Sequence, residues 1–147
     1  MKRFKFPLDV LLKVKKVERR GLHREINNIN NQLLHLTQEL EEVRAEKRQK
    51  EAKIQTDLNR GIDVHTLKSY VSYNQKLSGD IKRYIDSIES VNAKANKLKK
   101  KYIKLKKEIE VLKKLRKEQL DAYLYDLEQK RFKEIEDIIS SQVVRGV

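Results

Sequence analysis

The chain has 147 residues, 39% of them charged, with a formal net charge of +13, four Gly, one Pro, no Trp and no Cys. That composition excludes disulfides and thiolate zinc sites, and its few aromatics leave too little apolar surface for a compact core but enough for a narrow seam between helices. No run approaches the roughly 18 apolar residues of a membrane span, and Phe4 to Leu12, broken by Lys5 and Asp9 and lacking a small-residue cleavage site, is not read as a signal peptide, so a cytoplasmic protein is the default expectation.

High charge with low hydrophobicity also marks disordered chains; here regular apolar spacing argues for helices instead. The first helix is expected over about residues 7–60, with Pro7 at its first position, where a missing N–H costs nothing, and Asp9 near the positive end of the helix dipole. From Leu22 the apolar stripe steps by four and three through Ile26, Ile29, Leu33, Leu36, Leu40 and Val43, then through Lys47 and Lys50 to Ile54. That is a heptad seam with two polar interruptions. Upstream, Leu11, Val14 and Val17 follow another phase, so a stutter is expected near Gly21.

A turn is expected at about residues 60–63. Gly61 suits the left-handed residue that ends a helix, Asp63 suits an N-cap, and Ile62 with Leu67 makes a hydrophobic staple across it. The second helix, about 64–140, has the cleaner register. Its a and d positions run from Leu67 and Tyr70 through Asn74, Leu77, Ile81, Tyr84, Ile88, Val91, Ala95, Leu98, Tyr102, Leu105 and Ile109 to Leu112. Thirteen of these fourteen are apolar or aromatic, where 38% random occupancy gives about five, so the period is real. After Leu112 the phase shifts toward Leu120, Tyr123, Leu127, Phe132, Ile135 and Ile138.

Two heptad helices joined by a tight turn make an all-α, antiparallel two-helix coiled-coil hairpin, a single coiled-coil domain over residues 1–147. Folding about Gly61 sets residue i opposite roughly 121 minus i, so that Lys47 meets Asn74 and His35 comes near Asp86. The second helix, at roughly 1.5 Å per residue, outruns the first and overhangs the N-terminus. Each helix already has a partner in its own chain, so the free protein is expected to be a monomer.

The charge is uneven: residues 1–24 hold nine Lys and Arg against two acids, and residues 94–117 hold twelve against two. The hairpin lays these basic segments side by side. Such a run is most simply a solvated face; next, a docking end for an acidic protein surface; and third, a phosphate-binding face. Nucleic acid ranks last because Tyr102, Leu105 and Ile109 sit on the seam and cannot stack on bases. Catalysis has no candidate. His23, His35 and His65 are scattered, none with a second His at i+4 for a zinc helix, and Glu41-Glu42 lies on a convex surface with no pocket. No catalytic residue, cofactor or metal site is expected.

Phe4, Phe6, Leu8, Leu11 and Leu12 form an apolar cluster that the hairpin does not explain. This Phe-x-Phe-x-Leu-x-x-Leu-Leu pattern before a long charged helix resembles the start of the flagellar export protein FliJ family. Gly61, Leu67, Tyr70, Tyr73 and Leu77 are similar to that family's central turn and following segment. Lys130-Arg131-Phe132-Lys133-Glu134-Ile135-Glu136-Asp137 resembles its charged end, with Ile135-Glu136-Asp137 where the family has Leu-Asp-Glu. The resemblance implies a soluble component of the flagellar type III export apparatus. It would be cytoplasmic, peripherally associated with the inner membrane at the flagellar base. Its partners would be a hexameric export ATPase, whose ring it enters like a central stalk, an export gate membrane protein and export chaperones. The equivalent stalk protein of a virulence secretion system is the near alternative, and a basic coiled-coil module for nucleic acid or an anionic surface the distant one. On this reading the ATPase-docking end is built from Phe4, Phe6, Leu8, Leu11 and Leu12 with Lys114, Arg116, Leu120 and Leu127.

Overall fold

The computed structural model describes residues 2–146. Two helices, α1 (Asp9–Arg60) and α2 (Val64–Arg145), of 52 and 82 residues, account for nearly all of them, and among the described residues there is no strand. The fold is an all-α helical hairpin. By internal packing the chain divides into unit 1, Met1–Arg20 with Ile103–Val147, and unit 2, Gly21–Tyr102. In each unit α1 and α2 run side by side and antiparallel.

The turn lies in unit 2. Gly61 has φ of 85°, a left-handed conformation that costs glycine nothing. Asp63 caps α2: its Oδ1 accepts the Thr66 backbone N–H at 3.2 Å, and its own carbonyl accepts the first helical bond, from Leu67 at 3.1 Å. The contact with Thr66 holds the Asp63 carboxyl below its ordinary pKa.

At the other end α1 begins at Asp9, two residues later than Pro7. Leu8 accepts the first helical bond, from the Leu12 N–H at 2.9 Å, while Asp9 donates back to Phe6 at 3.1 Å. Pro7 therefore sits in a turn before the cap, and that turn folds Phe6 back onto the helix pair, where only 7% of it remains exposed.

The stripe from Leu22 to Ile54 is half-buried or buried at every position, and so are all fourteen a and d residues of α2. Upstream of Leu22 the expected stutter is absent. The inward positions of α1 step by three and four through Leu12, Lys15, Arg19 and Leu22 with no change of phase, whereas Leu11, Val14 and Val17 are exposed. Long cations can take these positions because their aliphatic stems pack while their heads reach water. Beyond Leu112, Leu120, Tyr123 and Leu127 are half-buried as the phase shift requires, but Phe132, Ile135 and Ile138 stand exposed, because α1 has ended and none of the described residues covers them.

The register differs from expectation by two residues. Lys50 lies over the Tyr73 ring at 5.3 Å in unit 2, and Lys15 bonds Glu108 at 2.6 Å in unit 1. Residue i thus faces roughly 123 minus i, close to the 124 minus i that a three-residue turn centred on Ile62 gives. The predicted polar pair comes apart in consequence. Lys47 reaches Glu51 on its own helix at 3.5 Å, and the buried Asn74 Oδ1 has no hydrogen-bond partner. His35 likewise bonds Glu39 on its own helix at 2.7 Å instead of approaching Asp86.

Unit 2 ties its helices together with phenols. The Tyr70 hydroxyl donates to Asp57 at 2.8 Å, Tyr73 donates to Glu46, and the Tyr84 hydroxyl is near the Glu39 carboxylate. Each phenol has its pKa raised, first by the bond to its carboxylate and then by burial.

Candidate docking end

The chemistry-bearing residues converge in unit 1. Its core is Phe6, Leu12, Leu105, Ile109 and Leu112, each at most 8% exposed. Phe4 closes the end of the core. Its ring centroid lies 5.7 Å from that of Tyr123 at 46°, with the Arg116 guanidinium 5.7 Å over its face. Tyr123 fixes the segment before the helix by donating its hydroxyl to the Lys2 carbonyl at 2.6 Å. Tyr123 is legible in the sequence as a shifted seam residue; its role as the N-terminal anchor is not, because that depends on how far α2 outruns α1.

The nine residues expected at this end therefore divide. Phe6 and Leu12 are buried in the hairpin, and Phe4, Leu120 and Leu127 are half-buried. Leu8, Leu11, Lys114 and Arg116 face outward. Of the expected docking residues, the exposed ones are thus two leucines and two cations, over a base formed by the other five. From residue 128 to the end of α2, every described residue is exposed.

Two grooves flank the helix pair here. One is cationic: Lys13, Lys16, Lys113, Arg116 and Lys117 surround Asp9, with Leu12 and Leu120 as its floor. Asp9 is held by Lys13 at 3.4 Å and Arg116 at 3.9 Å and also sits in the first turn of α1, where the helix dipole favours a carboxylate. The other groove is apolar, lined by Leu11, Val111 and Leu112 with Lys15, Lys104, Lys107 and Glu108. The grooves share no residue. Leu11 and Lys13, two positions apart, project about 200° from each other on a helix of 3.6 residues per turn, so the grooves open on opposite sides of the pair. The bond from Lys15 holds the Glu108 carboxyl below its ordinary pKa, with charge attraction from Lys15 and Lys104 adding to it. Among the described residues no group of three or more His, Asp or Glu side chains could hold a metal ion, and no helix is long and apolar enough to cross a membrane.

A family model for the flagellar FliJ protein matches residues 4–145. The chain belongs to the FliJ family. The match runs from Phe4, at the closed end of the core, to Arg145, the last residue of α2. Membership makes this a flagellar component with an export-related function, in a family of structural and escort proteins rather than known enzymes. No curated protein and no solved structure matches the chain.

Proposed function

We propose that this chain is the central-stalk-like element of the flagellar export ATPase, with unit 1 seated in the hexameric ring and the chain linking that ring to the export gate and to export chaperones. It would do so from the cytoplasmic side, associated peripherally with the inner membrane at the flagellar base. The observation that carries this reading is the composition of unit 1. A tight core is capped by Phe4 and Tyr123, ringed by Lys13, Lys16, Lys113, Arg116 and Lys117, and extended by an unaccompanied stretch of α2 with Phe132, Ile135 and Ile138 exposed. Cations at the rim steer an acidic partner and set its orientation, and exposed apolar clusters supply the contact area.

The test uses the purified chain with the hexameric export ATPase. Wild type should bind and stimulate hydrolysis. Leu8→Ser with Leu11→Ser, and separately truncation after Leu127, should each weaken binding and stimulation while helicity by circular dichroism stays near wild type per residue. A wild-type chain that neither binds nor stimulates overturns the reading. A nucleic-acid module is the competing class. It is disfavoured by Tyr102, which packs at 6.1 Å against His23 within the hairpin and so offers no stacking platform. Tight duplex binding that survives physiological salt would reverse this order, since binding through lysine–phosphate contacts alone collapses there.

A further inference from the structure

We propose that the apolar groove of unit 1 binds an acidic amphipathic helix of a partner protein. Leu11, Val14 and Val17 do not belong to a shifted seam; together with Val10 they form a second apolar stripe on α1. Val14 lies one turn from both Val10 and Leu11, and Val17 one turn further, so the four are neighbours on one face. Their exposures are 73% for Val10, 43% for Leu11, 56% for Val14 and 58% for Val17. The stripe borders the groove through Leu11, and across the groove Val111 of α2 is 66% exposed. Among the described residues none covers these side chains, and clusters of this size on a charged surface mark interaction sites.

The rim states the chemistry of the occupant. Among the described residues the ion pairs of unit 1 engage Lys13, Lys15 and Arg116; Lys104 and Lys107 line the groove without a direct ion pair, Lys104 acting on Glu108 only through charge attraction. Glu108, the one acid there, is already held by Lys15 at 2.6 Å. A helix with an apolar stripe toward Leu11 and Val111 and carboxylates on its flanks satisfies both features at once. The groove follows α2 from Lys104 to Leu112, about two and a half turns, so the matching stretch of helix has roughly nine residues at 1.5 Å each. A second copy's groove is a poor occupant. Residues 1–20 and 103–117 together carry fifteen Lys and Arg against four acids, and like-charged faces repel.

The inference goes beyond the stalk reading and is tested without the ATPase. A display library of 14-residue helices, with a fixed leucine stripe and randomised flanks, is selected on the full-length chain. Asp and Glu should be enriched on the flanks. The selected peptide should bind Val14→Ser/Val111→Ser at least about tenfold more weakly, from lost apolar contact. Lys104→Glu/Lys107→Glu should invert the preference toward a lysine-flanked twin. Both variants change exposed residues, and circular dichroism checks their helicity. Flanks without acidic bias, or binding indifferent to both variants, overturn the proposal. So does sedimentation showing a wild-type dimer that Val14→Ser/Val111→Ser dissociates, which would give the groove to a second copy. A wild-type chain that binds the selected peptide but neither binds nor stimulates the ATPase would strike the stalk reading alone.

Discussion

Among the described residues, unit 2 leaves four large hydrophobic side chains exposed, whereas unit 1, shorter by seventeen residues, leaves fifteen. Both units are cut from the same two helices, and both bury a comparable core: Phe6, Leu12, Leu105, Ile109 and Leu112 in unit 1, and Leu40, Leu77, Val91 and Ala95 in unit 2. Unit 2 has matched its apolar content to its seam and joins its helices with Tyr70 and Tyr73 bonded to carboxylates. Unit 1 carries apolar surface beyond what its seam can take. A surplus of this kind adds little to the stability of the isolated hairpin, and contact with another molecule is the use proposed for it above.

The largest expected effect separates core from surplus within unit 1. Ile109 is fully buried and Val111, two residues on, is exposed. Ile109→Ala should cost about 3 kcal/mol in urea unfolding, from lost transfer energy and a residual cavity, while Val111→Ala should stay within about 0.5 kcal/mol. Equal losses at the two positions would erase the distinction between seam and surplus.

Next comes a pair of glycines in unit 2. Gly61 holds φ of 85°, so Gly61→Ala should destabilise by about 1 kcal/mol. Gly21 lies inside α1 with open space where a Cβ would stand, so Gly21→Ala should stabilise by roughly 0.5–1 kcal/mol through helix propensity. A loss at Gly21 would mean that the absence of a side chain there serves packing. Similar in size is Asn74→Leu. The Asn74 Oδ1 is buried without a partner, and replacing it with an apolar group of similar volume should raise the unfolding free energy by about 1 kcal/mol. An unchanged melting temperature would mean that Asn74 is satisfied in solution.

The smallest effect is on pH. The three unit 2 phenols have raised pKa values in the fold. The folded state therefore holds their protons more tightly. Their contribution is fully present below the ordinary tyrosine value of about 10 and is lost as pH rises through their higher folded values. Glu108 in unit 1 is shifted the other way; its contribution is present above the ordinary carboxylate range and fades as pH falls through its lowered folded value. Melting curves between pH 8 and about 11 should show a decline that a Tyr70→Phe/Tyr73→Phe/Tyr84→Phe variant flattens. A decline of the same steepness in that variant would assign the alkaline loss to other groups.

The legible part of this molecule is its periodicity. Steps of three and four from Leu22 to Ile54 and from Leu67 to Leu112 require two amphipathic helices, and Gly61 with Asp63 requires a turn between them. These are local properties of the chain, set by helix geometry, a left-handed glycine and a capping carboxylate. The end proposed for docking was legible in part. An apolar pattern from Phe4 to Leu12 is visible in sequence, but not that Phe6 and Leu12 are spent in the core while Leu8 and Leu11 remain on the surface.

That division was decided by tertiary structure, and so was the fate of Leu11, Val14 and Val17. A stripe on a helix reports which side chains are apolar; it does not report which of two stripes has a partner. Two residues of register, set by a turn centred on Ile62, bring Lys15 against Glu108 and make Lys15 and Arg19 the inward residues. Burial is a property of the opposing helix as much as of the residue. The sequence alone determined that this chain is a hairpin, and only the pairing of its helices decided which apolar face the hairpin keeps for itself and which it leaves exposed.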